Sequence, residues 1–501
     1  MRAMWWMVVG LGACGVPSQD ERQPGAPDER AVELPGEQTT QAAGIVYDWA
    51  DAVVEEMYSD ATGEQTRPYL ALSGSTLAVS VNGGDRSAVV YERSPSGWTE
   101  DDSIVYVDGE GTVQLARGLA LDGDTLVALF ASGQLTNRIV QTFERDDQGW
   151  SYASTLPLPD VFQSFGRALA LDADRLVVSG TLTEASGGGG AAAIFERQAG
   201  EWTFDEALVP PEGFTASDFG KAVDVSGSTV IVGTNSLREG AGDVMAHAVA
   251  VYEKDSSGWA LQDILHSGCL GFDCVQNDSI GSPAEHFAAV DGDTIVFVGV
   301  LDYNEGGTNA TAYVSERTEG GWGPVEAIGS PPVMNVVALQ GDTFVAATDS
   351  VGGEFGQVAL YSRDGGTWSR AALLSGNAST GPFFFGETVA VDGRVMVAHA
   401  YEGTTQGTTR VGSSVFTYLA PSVNLPPSFT VGDDLSLASN SFEVTVDAWV
   451  TDISAGAPEE DGQQLTFAVS TDNDALFAVL PAVDAEGTLT FELFGTVGEA
   501  T

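Results

Sequence analysis

The sequence predicts an all-β fold in which a seven-bladed β-propeller is followed by a small β-sandwich. Three observations support this prediction. A phrase of about fifty residues recurs along most of the 501-residue chain, a period typical of propellers. Each copy contains a short turn rich in Gly and Asp, and most copies place a Trp seven residues after an aromatic residue.

The recurring turns have the composition of hairpin turns, because Gly with Asp or Ser supplies positive φ and short polar side chains. Each turn is followed by a short run of β-forming residues, such as Leu126–Leu129. We therefore predict the first two strands of every unit on either side of a turn. The turns are Ser73-Gly74-Ser75, Asp122-Gly123-Asp124, Asp172-Ala173-Asp174, Ser226-Gly227-Ser228, Asp291-Gly292-Asp293, Gln340-Gly341-Asp342 and Asp392-Gly393-Arg394.

The tryptophans mark the outer strand of each unit. Tyr91 precedes Trp98 by seven residues, and Phe195 precedes Trp202 by the same distance. After each Trp the chain tends to alternate between apolar and polar residues, which indicates a strand with one buried face. We predict that these side chains form the core of the blades. They are Trp49, Trp98, Trp150, Trp202, Trp259, Trp322 and Trp368.

The seventh unit ends at Val415–Tyr418 and no Trp strand follows it. A strand that could replace it lies near the start of the chain, because Trp49 precedes Ser73 by 24 residues, the usual distance from a Trp to the next turn. We expect Asp48–Glu55 to complete the seventh blade. Such an N-terminal strand would close the ring and remove an open sheet edge.

The units resemble FG-GAP repeats, the blades of the propeller in integrin α subunits and in many bacterial surface proteins. The resemblance covers residues 44–419 and implies a propeller that recognises a ligand. Kelch repeats share the aromatic-to-Trp spacing, but their Gly doublet has a fixed place, whereas Gly83-Gly84 and Gly352-Gly353 lie at irregular distances from the turn. The residues that match the FG are Phe165-Gly166, Phe219-Gly220 and Phe385-Gly386.

The N-terminus has the features of an export signal. Arg2 is followed by the apolar run Met4–Leu11, and Leu11-Gly12-Ala13-Cys14 fits a lipobox. We predict a lipoprotein signal peptide over residues 1–14 with Cys14 lipidated, the alternative being a plain secretory signal. Residues 15–43 are rich in Pro, Gly, Gln and acidic residues and are predicted to be a disordered tether. The expected location is the bacterial outer membrane or cell surface.

A second domain follows the linker 420–427. Residues 428–501 contain alternating runs around Phe442–Trp449, Leu465–Val469 and Thr488–Phe491. They resemble a cadherin-like or Ig-like sandwich, which usually takes about 100 residues. We therefore predict an incomplete sandwich.

The composition limits the partners of the protein. The net charge is −51, which disfavours nucleic acid and anionic membrane surfaces, so membrane contact is expected only through the lipid anchor. Cys269 and Cys274 lie in the insertion Ser267–Asp278. A loop disulfide suits an exported protein, and no further Cys or His completes a metal site.

Signals for metal binding and catalysis are weak. A hard cation needs six or more oxygens, whereas turns such as Asp122-Gly123-Asp124 offer two carboxylates. We therefore predict no metal site, with calcium as the cofactor to test. The sequence contains four His residues, no H-E-x-x-H motif and no G-x-S-x-G elbow. We accordingly predict no catalytic residues and a protein that is not an enzyme.

The leading functional prediction is a surface lipoprotein whose propeller loops bind a protein or glycan ligand, as in adhesion. The alternatives are a secreted propeller hydrolase acting on polysaccharide and a passive scaffold of the envelope. The longest loops are the candidates for ligand contact. They are Thr181–Gly190, Asn235–Ala246, Ser267–Asp278 and Asp302–Asn309.

Overall fold

The structure of the chain is a computed structural model that describes most of its residues. The described residues are 7–9, 53–60, 68–81, 86–94, 97–107, 116–131, 138–211, 214–216, 219–239, 244–266, 287–304, 307–328, 334–348, 356–375, 382–383, 385–403, 410–420, 428–432, 435, 443–454, 465–469, 471 and 474–494. They are almost entirely β, with 3-10 turns at Glu184–Ser186 and Asp474–Leu476. No helix among them is long and apolar enough to cross a membrane.

The chain forms two compact units. The larger unit is Val46–Pro421, and the smaller combines Met1–Ile45 with Ser422–Thr501. The first two strands of the chain are β1 (Met7–Val9), which belongs to the smaller unit, and β2 (Val53–Asp60), which belongs to the larger one.

The described part of the larger unit contains seven antiparallel sheets, which we number in chain order. Sheet 1 is β3 (Leu70–Ser73), β4 (Thr76–Ser80), β5 (Ala88–Ser94) and β6 (Gly97–Ile104); sheet 2 is β7 (Ala116–Asp122), β8 (Thr125–Ala131), β9 (Arg138–Asp146) and β10 (Gly149–Thr155); sheet 3 is β11 (Phe162–Asp172), β12 (Arg175–Leu182), β13 (Gly190–Gln198) and β14 (Glu201–Leu208). Sheet 4 is β15 (Phe214–Ala216), β16 (Ala222–Ser226), β17 (Thr229–Glu239), β18 (Val244–Asp255) and β19 (Gly258–His266).

The remaining sheets of this unit follow the same order. Sheet 5 is β20 (Ala288–Asp291), β21 (Thr294–Asn304), β22 (Gly307–Thr318), β23 (Gly321–Trp322) and β24 (Glu326–Ile328); sheet 6 is β25 (Met334–Gln340), β26 (Thr343–Thr348), β27 (Gln357–Asp364) and β28 (Thr367–Ser375). Sheet 7 is β29 (Pro382–Phe383), β30 (Val389–Asp392), β31 (Val395–Gly403) and β32 (Arg410–Leu419), together with β2.

The Gly-rich turns join the innermost strand of each sheet to the next strand, as the sequence predicts. The central turn residue is in the left-handed region in every case, with φ between 48° at Ala173 and 56° at Gly74 and Gly341. No atom lies within 4 Å of the position that a Cβ would take at turn glycines such as Gly123. A side chain is therefore sterically tolerated there, which explains why Ala173 can replace Gly in one turn.

Apolar side chains fill the spaces between neighbouring sheets. Phe130 and Trp150 of sheet 2 lie in one cluster with Val90 of sheet 1. Leu77 of sheet 1 clusters with Val397 of sheet 7, so the last sheet packs against the first. The innermost strands also contact one another in succession, and β30 of sheet 7 contacts β3 of sheet 1.

Strand β2 pairs with β32 as the outer member of sheet 7, with Val53 opposite Leu419 and Asp60 opposite Ser413. The predicted strand Asp48–Glu55 overlaps β2 at residues 53–55, and residues 48–52 lie outside the described residues. Trp49 lies outside the described residues.

The Phe-Gly pairs make close contacts between sheets. Phe165, Phe219 and Phe385 are all buried. A Cβ on Gly220 would lie 2.8 Å from the carbonyl oxygen of Ala191 in sheet 3, and Gly220 has a φ of 87°. This glycine is required both by its backbone conformation and by the close approach of the neighbouring strand.

The smaller unit contains short sheets around one apolar cluster. Strands β33 (Ser428–Val431) and β35 (Val450–Ser454) pair with each other, and β34 (Glu443–Val446), β38 (Leu489–Leu493) and β37 (Phe477–Val483) form a second sheet in that order. Strand β36 (Phe467–Val469) pairs with β1, which lies within the predicted signal peptide. Trp449, Phe477, Leu489 and Phe491 are buried together.

Candidate functional site

The two ends of the sheets in the larger unit differ in the length of their connections. Two residues separate β3 from β4, and two separate β9 from β10, as at the equivalent places in the other sheets. Because neighbouring strands are antiparallel, these short turns lie at one end, and connections such as that from β12 to β13 lie at the other. We call these ends the tight-turn face and the long-connection face.

Three of the four predicted ligand loops begin and end on the long-connection face, and the structure shows two of these to be largely strands. Strand β17 continues to Glu239 and pairs with β18 up to the pair Arg238–Val244, so the predicted loop Asn235–Ala246 is largely an extended hairpin. Strand β15 adds a third strand to it. The predicted loop Asp302–Asn309 is likewise a hairpin, with Asn304 opposite Gly307. Pairing continues in both cases because extended residues satisfy their backbone hydrogen bonds across the hairpin.

The other two predicted loops have different outcomes. Thr181–Gly190 holds the last residues of β12 and a 3-10 turn at Glu184–Ser186, followed by three glycines with positive φ. Ser267–Asp278, with Cys269 and Cys274, lies outside the described residues, as does Cys14. The disulfide and the lipidation therefore stay predictions.

The tight-turn face carries a circuit of hydrogen bonds that the sequence did not predict. The last residue of each innermost strand accepts a hydrogen bond from the central turn N–H of the next sheet. Asp122 Oδ2 accepts from the N–H of Ala173 at 2.6 Å, for example, and Gln340 Oε1 from that of Gly393 at 2.8 Å. The remaining donor–acceptor pairs are Gly123–Ser73, Gly227–Asp172, Gly292–Ser226, Gly341–Asp291 and Gly74–Asp392.

The pair formed by Gly74 and Asp392 joins the last sheet to the first, so the circuit returns to its starting point. A signal for this network is present in the sequence, because every one of the seven turns opens with Asp, Ser or Gln. Asp, Ser and Gln are also explained by the residue preferences of the turns themselves, so the pattern predicts hairpins but not hydrogen bonds between sheets. The structure shows that these side chains also bond to the following sheet.

A second network links sheets 1 to 6 through the recurring Glu-Arg phrase. The cation of one sheet pairs with the Glu of the preceding sheet, as in Arg145–Glu92 at 2.6 Å and Lys254–Glu196 at 2.7 Å. The same pairing joins Arg197–Glu144, Arg317–Glu253 and Arg363–Glu316. Four of these cations also lie over the Trp ring of their own sheet, namely Arg197 over Trp202, Lys254 over Trp259, Arg317 over Trp322 and Arg363 over Trp368.

The predicted blade-core tryptophans differ in burial. Trp150, Trp202 and Trp259 are buried, whereas Trp98, Trp322 and Trp368 are half-buried and pack against the apolar clusters. In sheets 3 to 6 the ring lies beside the cation of the same sheet. These four tryptophans therefore combine apolar packing with cation–π contacts.

The innermost strands of all seven sheets line a central channel with a cavity of about 190 Å³. Its walls are mainly Leu, Val and Ala, and Asp224 on β16 is the one charged residue among the described residues that line it. The Asp224 carboxylate accepts hydrogen bonds from the N–H groups of Val225 at 2.9 Å and Val290 at 2.8 Å. Burial raises the pKa of Asp224 to about 7, against these hydrogen bonds and with added repulsion from Asp291 and Asp172.

No group of three or more His, Cys, Asp or Glu side chains among the described residues is placed to hold a metal ion. The carboxylates of the tight-turn face are spread over separate turns, and each Asp that opens a turn accepts a backbone N–H of the next sheet. These acidic turns, where calcium was the cofactor to test, thus serve as bridges between sheets in this structure.

Comparisons with known proteins give structural likeness only. No protein-family model and no curated protein sequence matches the chain. The β-propeller domain of the Trilobed protease from Pyrococcus furiosus is similar with a TM-score of 0.41 and 10% identity, over 70% of this chain and 95% of that one. The WD40 domain of SCAP from fission yeast has a TM-score of 0.40 and 11% identity, over 74% of this chain and 99% of that one.

The tricorn protease is also similar, with a TM-score of 0.38 and 11% identity, over 76% of this chain and 36% of that one. Two of these three structures come from proteases, which corrects the prediction that the protein is not an enzyme. The lack of a catalytic motif in the sequence was too weak a ground for that prediction, because one fold can host many unrelated functions. At this identity the likeness assigns no activity to the chain.

Proposed function

We propose that the protein is a surface recognition protein built on a closed seven-bladed β-propeller of the FG-GAP type. Three features support the closed ring: the hydrogen-bond circuit returns from Asp392 to Gly74, β30 contacts β3, and β2 pairs with β32. Such a ring is a rigid platform, because each sheet is held by both neighbours.

The long-connection face is the proposed binding surface. This proposal rests on the difference in connection length between the two faces. The long-connection face carries the long hairpins β17–β18 and β21–β22, whereas the opposite face has two-residue turns. Strand β15 pairs with the first of these hairpins as a third strand. Long connections on a rigid framework are the usual position of binding residues. The ligand class is a protein or a glycan.

The proposed location follows from the N-terminal sequence. Residues 1–14 act as a lipoprotein signal, Cys14 carries the lipid, and 15–43 serve as a flexible tether at the outer membrane or cell surface. Residues 428–501 act as a cadherin-like or Ig-like module. Labelling of cells with a fatty-acid analogue tests this part, with label expected on the natural chain and lost in Cys14→Ser. Label retained in that variant would disprove lipidation at Cys14.

The binding proposal is tested with the full chain against glycan arrays and envelope proteins, with and without calcium. In one variant the segment 236–246 is replaced by a two-residue turn. We expect the natural chain to bind saturably. The dissociation constant of the shortened variant should be at least tenfold larger, which corresponds to a loss of about 1.4 kcal/mol in binding free energy.

A matched control changes the opposite face, where Asp147→Ala removes an exposed carboxylate from a two-residue turn. This control should bind like the natural chain. Equal binding by the shortened variant, or the same loss in the control, would contradict recognition through the long-connection face. Circular dichroism confirms that each variant keeps its β structure.

A further inference from the structure

Residues 428–501 carry the most exposed large apolar side chains of the part of the chain that the structure describes. Phe494 is 61% exposed, Val479 54% and Leu480 51%, whereas no other large apolar side chain among the described residues exceeds 44%. All three lie in β37 or directly after β38. Exposed apolar side chains that cluster on a folded protein mark an interaction site, whereas single scattered ones do not.

The register of the sheet β34–β38–β37 brings these side chains together on one face. Val479 lies opposite Glu492 of β38. Phe494 follows two residues after Glu492, and its N–H donates to the carbonyl oxygen of Leu476 at 3.0 Å, so the pairing of the strands continues through it. Side chains two residues apart share a face of a strand, and diagonal neighbours across a strand pair are about 7–8 Å apart. Phe494 and Val479 are therefore neighbours, and Leu480 adjoins Val479.

The other face of the same sheet forms the core of this part of the chain. Val444 of β34 lies opposite Phe491 of β38, and both are buried in the apolar cluster with Leu489. We call the face that carries Glu492 and Phe494 the outer face. Its apolar side chains lie outside this core and remain available for a partner.

Two carboxylates face each other beside the apolar side chains. Glu492 lies opposite Glu443 of β34 as well as opposite Val479 of β37. Like charges directly opposite one another in neighbouring strands destabilise a sheet. Residues 428–501 contain fourteen Asp and Glu residues but no Lys, Arg or His, so this part of the chain has no cation of its own to offset the repulsion.

This pattern of charge selects the kind of partner. A second copy of the chain would bring the same carboxylates to the contact, and a net charge of −51 also repels nucleic acid and anionic membrane surfaces. The register of β37 shifts on both sides of Val479, which disfavours the addition of a further strand at this edge. A protein surface with Lys or Arg beside apolar side chains complements both the carboxylates and the apolar residues.

We propose that the outer face of the sheet β34–β38–β37 docks a protein partner whose contact surface presents Lys or Arg beside apolar side chains. The apolar side chains of the partner cover Phe494, Val479 and Leu480. The cation lies beside Glu443 and Glu492 and offsets their mutual repulsion. This surface is separate from the long-connection face, and the proposal does not depend on ligand binding there.

The test is fluorescence anisotropy of a labelled amphipathic helical peptide of Leu and Lys, titrated with the full chain at about 0.15 M salt, where surface charges are largely screened. One control peptide has Ser in place of Leu and keeps the positive charge. The other has Glu in place of Lys and keeps the apolar side chains. We expect saturable binding of the Leu–Lys peptide and at least tenfold weaker binding of both controls.

Paired variants locate the contact. Phe494→Ser and Glu492→Gln should each weaken binding of the Leu–Lys peptide at least tenfold, with Val479→Ser in place of Phe494→Ser if the latter does not fold. Leu158→Ser removes an exposed apolar side chain from the larger unit, and Glu486→Gln removes an exposed charge from the turn between β37 and β38. Both of these controls should bind like the natural chain.

Three results would overturn the proposal. The first is the lack of saturable binding, or binding of the Ser–Lys peptide as strong as that of the Leu–Lys peptide, which would show adsorption by charge alone. The second is an equal loss of binding in the control variants, or no loss in the folded test variants. The third is self-association of the natural chain in analytical ultracentrifugation that Phe494→Ser abolishes, because the outer face would then belong to a second copy.

Discussion

Asp224 joins the innermost strands of sheets 4 and 5, because its carboxylate accepts the N–H of Val290 as well as that of Val225. Burial raises its pKa from an ordinary value of 3.8 to about 7. Burial also raises the pKa of Asp392 on the tight-turn face, with further repulsion from Asp291 and Asp122, although the N–H of Gly74 opposes the shift. Both groups are therefore acids that the folded protein holds protonated more readily than the unfolded chain does.

The first prediction is a pH-dependent contribution of Asp224 to stability. Because its pKa is raised on folding, this contribution is fully present below pH 3.8 and is lost as the pH rises through about 7. The loss should be on the order of a few kcal/mol. Asp224→Asn should remove this pH dependence of the free energy of unfolding. At low pH the substitution should also cost about 1–3 kcal/mol, because the amide has one acceptor oxygen and leaves one of the two backbone N–H groups without a partner.

Urea unfolding of the natural chain and of Asp224→Asn between about pH 4.5 and pH 8 measures this effect. The difference in stability between the two should shrink or change sign toward pH 8. Asp147→Asn controls for the loss of one surface carboxylate from an acidic chain. Parallel pH curves for the natural chain and Asp224→Asn would show that Asp224 is not a raised acid.

The polar residues of the turns show which contacts can be predicted from the sequence. Gly123 and its neighbours predict a hairpin turn, because the conformation of a turn depends on a few consecutive residues. The bond from Gly123 to Ser73 of the preceding sheet spans fifty residues, and no local pattern encodes it. The raised pKa of Asp224 could not be predicted either, since it depends on strands distant in the sequence.

The Glu-Arg phrase connects neighbouring sheets by ion pairs. Arg363 donates to Glu316 at 2.8 Å and to Asp342, and it lies over the ring of Trp368. Burial opposes its charge, but the hydrogen bonds to these two carboxylates raise the pKa of Arg363 further. Sheet 7 has Leu419 and Ala420 at the equivalent places, and Leu419 packs against the apolar cluster shared with sheet 1. Sheet 7 thus has apolar residues at the two places where Glu and Arg or Lys stand in sheets 1 to 5.

The second prediction compares two ion pairs of similar length. Arg363→Ala should lower the free energy of unfolding by about 1.5–3 kcal/mol, because it removes the hydrogen bonds of a half-buried guanidinium to Glu316 and to the Asp342 carboxylate, which is 11% exposed. Arg86 pairs with Glu100 at 2.7 Å, but 39% of the Arg86 side chain is exposed. Arg86→Ala should therefore cost at most about 1 kcal/mol. Urea midpoints of the two variants test the prediction, and equal losses would contradict it.

The third prediction concerns the Phe-Gly pair that resembles the FG motif. Gly220→Ala should cost about 2–4 kcal/mol, because its φ is 87° and its Cβ would meet the carbonyl oxygen of Ala191. Gly227→Ala should cost about 1 kcal/mol, since its φ is 53° and no atom lies within 4 Å. Thermal midpoints compare the two, and a larger loss for Gly227→Ala would refute the role of close sheet contact.

The repeat period predicted the strands well because each sheet repeats one local pattern of turn, strand and Trp. The extended hairpins were not predicted, since Asn235–Ala246 contains Gly and charged residues typical of a loop, while pairing across the hairpin keeps most of it in strands. The predicted strand Asp48–Glu55 shares residues 53–55 with β2, and its first five residues lie outside the described residues.

At the scale of the whole larger unit, we propose a ring of seven sheets that strand β2 closes. The circuit of turn hydrogen bonds passes from sheet 7 to sheet 1 through Asp392 and Gly74, whereas the Glu–Arg and Glu–Lys pairs described above join sheets 1 to 6. The pairing of β2 with β32 and the apolar contact between sheets 7 and 1 also support the proposed closure.

A disulfide across β2 and β32 tests this claim most directly. Ser59 lies opposite Ser414, and residues facing each other in antiparallel strands have Cβ atoms about 4.5–5.5 Å apart, close enough for a bridge after a small adjustment. In Ser59→Cys/Ser414→Cys, peptide mass mapping after mild oxidation should find the 59–414 bridge. The control Ser59→Cys/Ser151→Cys should form none. Two free, readily alkylated thiols in the folded Ser59→Cys/Ser414→Cys variant would contradict the closed ring.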